Sequence, residues 1–444
     1  MIDQELLQQF EAKFNKPCRN RASRHAIARV GLQEASLNNN AIRKHPFVFS
    51  HETQHGKITN QKATGRCWMF AALNTMRVGT MEQLNLETFE YSQNYPLFWD
   101  KLERSNYVLD SIIETADQPL NSRLVWHLLQ QPIQDGGQWE MFAGILTKYG
   151  AVPKEVMPET YHSSNTAGLN SLLTNKLREF AARLRQMHEA GADRSQLLAK
   201  KEEQLYFIYS VLVKALGQVP TVFDYAYRDK DNQYHKLSGI TPQEFFKQYG
   251  GVQLEEMVSL INAPTQDKPF GKPYTIQYLA SIAEAKPIKY LNVPIDVMKQ
   301  AAVDAIKSGQ PVWFGCDVGK FSERKYGIMD DEMYAYADTL GESFTLSKAE
   351  RLDYSASMLT HAMVFVGVDL DDQGQPLTWK VENSWGKTSG DEGIYSMSDK
   401  WFEEYTYQIT VPRQFIPSEW LEDYDQEAIK LEPWDPMGAL AYLN

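Results

Sequence analysis

Apolar residues follow helical spacing through the first half of the chain and give way to dense β-branched and aromatic runs later. Met69, Leu73 and Met76, with Phe70 and Ala72, mark one helix face directly after Gly65, so Cys67 is expected in a first helical turn. Residues 1 to 16 read as an amphipathic helix, and from there to residue 60 the chain reads as a polar, irregular approach. Between 61 and 160 the pattern is helical, with Trp126, Leu128 and Leu129 as expected core positions. Leu172, Leu173, Leu177, Phe180 and Leu184, then Leu205, Ile208, Val211 and Leu212, predict a long helical pair broken at Gly191. A hairpin follows, running from Phe223 to Tyr227, turning through Asp229 to Asn232 and returning from Tyr234 to Leu237. Thr241-Pro242-Gln243-Glu244 then has the form of a helix start with a capping box. Near the end, Thr360 to Asp369 and Leu377 to Gly386 flank the turn-prone Asp371-Asp372-Gln373-Gly374, which predicts a second hairpin.

That second hairpin brings chemistry with it. Facing residues of an antiparallel pair have numbers of constant sum, and those of His361 and Asn383 average to 372, inside the turn. The two side chains are therefore expected to face each other. An asparagine oxygen accepting from one imidazole N–H fixes the ring and leaves the other nitrogen for a thiol. Trp385, two residues on, is expected to shield that bond. A thiol in the first turn of a helix meets free N–H groups and the positive end of the dipole, which lower its pKa. Gln61, six residues earlier, supplies an amide that can converge with the Cys67 N–H on one developing oxyanion. A helix-starting cysteine near a glutamine is common among buried cysteines, so His361 and Asn383 distinguish this one. The other eight histidines read as structural.

Composition narrows the class further. A chain of 444 residues that is 43% hydrophobic exceeds one small core, so a large domain with an elaborate insertion, or two domains, is expected. A formal charge of −12 argues against nucleic-acid binding. The local basic run Lys13, Lys16, Arg19, Arg21, Arg24 and Arg29 reads as a solvated or subunit-contact surface. Three cysteines, an odd and sparse set, suit a reducing compartment. The start Met1-Ile2-Asp3-Gln4-Glu5-Leu6 lacks the basic and apolar regions of a signal peptide, and no apolar run is long enough to span a bilayer. A cytoplasmic protein without membrane association is expected. No metal-ligand spacing and no phosphate loop occurs, so neither metal nor cofactor is expected.

Gln61 to Trp68, Thr360-His361-Ala362 and Glu382-Asn383-Ser384-Trp385-Gly386 together resemble the papain superfamily of cysteine peptidases. The resemblance implies Cys67 as nucleophile, Gln61 as oxyanion donor, His361 as general base and acid, and Asn383 as its orienter. Asp135-Gly136-Gly137, followed by Tyr149 to Pro153, is similar to the glycine pair that lines a papain-like cleft, so Gly136, Gly137 and Trp385 are expected to contact substrate. Cys67 and His361 stand 294 residues apart, whereas His361 and Asn383 stand only 22 apart, so an insertion lies between the two halves of the core. With the C-terminal run Glu432 to Ala441, this pattern resembles the bleomycin hydrolase and bacterial aminopeptidase C subfamily. That implies an α+β, papain-like fold: a helical half, an antiparallel barrel-like β half, a large mainly helical insertion and an extended C-terminal arm.

The implied division is 1–60 approach, 61–160 helical half, 161–290 insertion, 291–430 β half and 431–444 arm. The resemblance further implies a thiol aminopeptidase of broad specificity on peptides with a free N-terminus, assembled as a homohexamer with inward-facing sites. There the arm's terminal carboxylate, on Asn444, meets the substrate's α-amino group. Tyr442-Leu443-Asn444 extends past the point where relatives tend to stop, so the arm is either seated differently or trimmed near Ala441. Two alternatives stay open: an amidase of non-peptide amides or thiolactones, and a catalytically inactive peptide-binding scaffold.

Overall fold

The computed structural model describes residues 1–440. Four helices open the chain: α1 (Gln4–Asn15), α2 (Cys18–Val30), α3 (Leu32–Ser36) and α4 (Asn39–Arg43). The stretch read as irregular is thus helical as far as Arg43. The pattern failed there because α2 buries no residue and α3 and α4 bury one each, leaving no apolar stripe to count.

After β1 (His51–Glu52) comes the helical half: α5 (Cys67–Gln83), α6 (Asn94–Glu114), α7 (Arg123–Gln130) and α8 (Trp139–Tyr149). Thirteen of the 17 residues of α5 are buried, which makes it a central helix with almost no solvent face. Trp126 is 59% exposed, contrary to the core position expected of it. Val125 and Leu128 already fill the inward face of the short α7, and Trp126 lies a third of a turn away.

The helical pair forms as α10 (Ala167–Glu189) and α11 (Arg194–Leu216), after the single turn α9 (Tyr161–Ser164). Gly191 turns between them at φ +90°, and Asp193 starts α11 with a capping box to Gln196. The hairpin β2 (Phe223–Arg228) and β3 (Tyr234–Ile240) follows, then α12 (Pro242–Tyr249) behind the Thr241–Glu244 capping box.

A mixed sheet forms the other half. Its strands are β4 (Met257–Ile261), β5 (Lys272–Ile276), β6 (Tyr290–Asn292), β7 (Val312–Cys316), β8 (Ser322–Glu323), β9 (Ile328–Met329), β10 (His361–Leu370), β11 (Pro376–Glu382), β12 (Ile394–Ser398), β13 (Thr406–Pro412) and β14 (Ile429–Leu431). They lie in the order β14-β5-β6-β4-β13-β7-β10-β11-β12-β9-β8, with β1 also on β10. Antiparallel pairing runs through the centre, while β4–β6, β5–β14 and β9–β12 are parallel. Strands β4 and β5 and the first residue of β6 come from within 161–290.

Strand β10 is buried on both faces. Ala362, Val364 and Val366 join the core around α5, and Met363, Phe365 and Val368 join a second core that includes Met298 and Val303 of helix Ile295–Lys307. The β10–β11 hairpin forms around the expected turn but in a different register. Val364 faces Glu382 and Phe365 faces Val381, so facing numbers sum to 746 near His361 where 744 was expected. Bulges beyond Phe365 and Asp369 absorb the extra residues. A change of two preserves side-chain parity, so His361 and Asn383 stay on one face as diagonal neighbours. Among the described residues no helix is long and apolar enough to cross a membrane.

Candidate active site

Cys67 begins α5 and is fully buried. Arg66, the residue before it, caps the helix with no side-chain hydrogen bond, which leaves first-turn N–H groups for other partners. The N–H groups of Ala362, Trp68 and Cys67 itself bear on the sulfur and favour its anion. Burial outweighs them and pushes the Cys67 thiol up to about 12. The helix start therefore acts in the expected direction, but the net depression expected from it is overturned by desolvation. Contact with the Ala362 N–H sets the sulfur beside the residue that follows His361.

The loop before Cys67 is fastened at each step. Gln61 is buried; its Oε1 accepts from Ser384 Oγ at 2.7 Å, and its main-chain N–H donates to Ser384 O at 2.8 Å. One N–H of its amide donates to Thr64 O at 2.6 Å, which leaves the second for another acceptor. The Gly65 N–H donates to Asp135 Oδ2 at 2.9 Å. Arg66 forms a two-pronged pair with Glu159, at 3.0 and 2.8 Å.

Asp135 is the hub of this side. It also accepts from Lys101 at 2.8 Å, from Asn170 at 2.7 Å and from Thr166. Burial works to raise its pKa, but the Lys101 ammonium and these donors prevail and hold the carboxyl well below the usual carboxylate range. Its main-chain oxygen accepts from the Trp68 indole at 2.5 Å. Gly137 packs flat on that indole: a Cβ there would lie 2.5 Å from the ring, so only glycine fits. The Gly136 carbonyl accepts from Arg104 at 2.8 Å.

On the sheet side, β10 starts at His361, which pairs with Cys316 of β7. His361 Nε2 lies 2.9 Å from Asn383 Oδ1. The Ser384 N–H, which can only donate, points at the same oxygen from 2.8 Å, so that atom is an acceptor and Nε2 carries the hydrogen. Nδ1 is thereby the unprotonated nitrogen, buried and without a hydrogen-bond partner among the described residues. Burial lowers the His361 pKa to about 4, against the opposing pull of Asn383. The Trp385 ring covers the imidazole at 4.8 Å between centroids, and the Arg324 guanidinium lies 4.0 Å from the Trp385 ring centre.

The C-terminal arm reaches the same region. Strand β14 runs parallel to β5, Trp434 lies 3.9 Å from the Arg123 guanidinium, and Asp435 pairs with Lys268 at 3.0 Å. Met437 and Leu440 are buried in the helical core, and Gln138 Nε2 donates to Ala439 O at 2.6 Å. The arm therefore ends, within the described residues, one position from the glycine pair. Asn444, the expected anchor for a substrate amine, lies outside those residues.

Sequence reasoning missed several residues that hold this arrangement: Ser384 on Gln61, the ring of donors on Asp135, Arg324 over Trp385, and an ion pair between Arg77 and Glu382. That pair spans 2.5 Å with both side chains 1% exposed, and it ties α5 to the residue before Asn383. The available signal was a single basic residue, Arg77, inside a largely apolar helix, since a buried cation needs a partner.

Similarity to known proteins accords with this geometry. The sequence profile of the peptidase C1-like family matches residues 1–438. Aminopeptidase C of Listeria monocytogenes is 48% identical over 437 residues, covering 98% of each chain. Human bleomycin hydrolase is 42% identical over 419 residues, covering 92% of each. The crystal structure of PepW from Lactobacillus rhamnosis superposes with a TM-score of 0.97 at 45% identity, covering 99% of each chain. With its divided core, C-terminal arm and end-to-end match, the chain belongs to the peptidase C1-like family, in the branch of aminopeptidase C and bleomycin hydrolase.

Proposed function

We propose that this protein is a cysteine aminopeptidase that removes N-terminal residues from peptides through a thioester on Cys67. His361 Nδ1 takes the thiol proton as sulfur attacks the scissile carbonyl, so the pair stays neutral overall while charge separates within it. The carbonyl oxygen becomes an oxyanion between the second N–H of the Gln61 amide and the Cys67 main-chain N–H. Its collapse breaks the C–N bond, and His361 returns the proton to the departing amine. Water, deprotonated by the same nitrogen, then cleaves the thioester and frees the acid. Asn383 holds the imidazole in the required tautomer throughout.

The observation that carries the amino-terminal preference is the hydrogen bond from Gln138 to Ala439, one residue from Gly137. An arm seated there obstructs the cleft on the side where preceding substrate residues would lie, so longer occupants are excluded. Deleting residues 438–444 is expected to lower hydrolysis of free-amine peptides and to admit N-acylated ones. An unchanged demand for a free amine, measured as the kcat/KM ratio of the two, would refute the arm's role.

Broad residue tolerance, a cytoplasmic setting and a homohexamer belong to the same proposal. Support for assembly comes from α1 and α2, which bury no residue in the monomer while α1 leaves Leu7, Phe10 and Phe14 exposed.

A further inference from the structure

The protein's own arm reaches the cleft beside Gly137, through Ala439 on Gln138. A cavity of about 450 Å³ adjoins the loop before Cys67, walled in part by Gln61, Lys62, Gly65, Arg324 and Trp385. Lys62 and Arg324 are exposed, and neither forms an ion pair among the described residues. Asp135 also touches this cavity, but Lys101, Gly65, Thr166 and Asn170 already engage its carboxylate. The wall therefore presents two cations with no acid left to balance them.

Arg324 is placed by stacking. Its guanidinium lies against Trp385, and Trp385 lies against His361. His361 also marks direction, because the nitrogen that protonates the leaving amine has to stand on the leaving side. The residue released from the substrate thus departs along Trp385 towards Arg324. Its carboxyl carbon sits two bonds, ~2.5 Å, beyond the scissile nitrogen. The charge of Arg324 is felt at His361, where it adds to burial in lowering the imidazole pKa.

Building on the aminopeptidase reading, we infer that Lys62 and Arg324 bind a carboxylate on the leaving residue, so that favoured substrates are short peptides carrying one there. The α-carboxylate of a dipeptide and the side chain of an acidic second residue both supply that group. In a longer peptide with a neutral second residue, neither is present at this point. Both cations are solvent-exposed, so the preference should be modest, about 3- to 10-fold in kcat/KM, and should weaken with salt.

The test compares Leu-Ala with Leu-Ala-amide, and Leu-Asp-amide with Leu-Asn-amide, at low and high ionic strength. It uses the full-length parent and the variants Arg324→Gln and Lys62→Gln. The expected result is a 3- to 10-fold advantage for the carboxylate member of at least one pair, falling towards parity in high salt and in Arg324→Gln. Whichever pair shows the advantage identifies the source of the carboxylate. Salt dependence in the parent keeps the test decisive should a variant fail to fold. Cleavage of the amides with no advantage for either acid overturns the inference and leaves the aminopeptidase reading intact. An advantage that survives both substitutions and high salt overturns the assignment to these residues. Failure to cleave any free-amine peptide removes the aminopeptidase reading and this inference with it.

Discussion

Cys67 and His361 are delivered to the same place by opposite means. The start of α5 is held by charge and hydrogen bonds: Asp135 on Gly65, its carbonyl on Trp68, and Glu159 on Arg66. The start of β10 is held mainly by strand pairing with β7 and by apolar packing behind it, including the stack of Phe314 on Phe365 at 3.8 Å. An ion network fixes a point in space but tolerates little loss, because each removed partner leaves a buried charge behind. A sheet fixes a direction and spreads its stability over many contacts. The nucleophile's side should therefore be the more fragile under single substitutions, and the base's side the more legible in sequence.

The largest effect should come from the nucleophile itself. Cys67→Ala is expected to remove peptide hydrolysis by a factor on the order of 10⁶ while leaving the thermal transition nearly in place. Retained turnover would show that the two halves converge on nothing catalytic.

Next comes the tie between them. Arg77→Met leaves Glu382 buried and unpaired, at a cost of about 3–5 kcal/mol in a denaturant titration, whereas Arg77→Met with Glu382→Leu should recover most of that loss. Equal destabilisation by the single and double variants would mean that packing, not charge, joins α5 to β11.

The smallest and most discriminating effect concerns pH. With its pKa lowered to about 4, His361 is neutral above that value and able to accept a proton, so hydrolysis should hold through mildly acid pH and fail as pH drops through about 4. The thiol, pushed up to about 12, should be alkylated at neutral pH only through transfer of its proton to His361. In His361→Ala, iodoacetamide labelling should therefore shift to strongly alkaline pH, and labelling that stays fast near neutrality would contradict this. The stability sign follows from the same numbers. An unfolded chain protonates His361 near its ordinary 6.5 and the folded one near 4, so stability is lost as pH falls across that interval.

Much of this arrangement was readable beforehand, and unevenly so. The hairpin around residue 372 was visible because alternating β-branched residues and an Asp/Gly turn are local signals; its exact register was not, since two bulges follow from packing elsewhere. The helix at Cys67 was visible from apolar spacing, yet its thiol pKa was misjudged because burial depends on β10, hundreds of residues away. Asp135 could be noticed only as the neighbour of two glycines. Its partners Lys101, Thr166 and Asn170 lie 34, 31 and 35 residues from it, and no spacing rule links them. Polar α2 and α3 were missed because a helix without an inward face has no periodicity to read.

The distance between α5 and β10 along the chain also sets an order of events in time. A ribosome working at about 5–20 residues per second takes roughly 15–60 s to travel from Cys67 to His361. Throughout that interval the nascent chain carries a thiol with no base, and an Arg77 whose partner Glu382 has not been made. A peptidase built this way has no means of cutting anything, its own unfinished neighbours included, until nearly all of it exists.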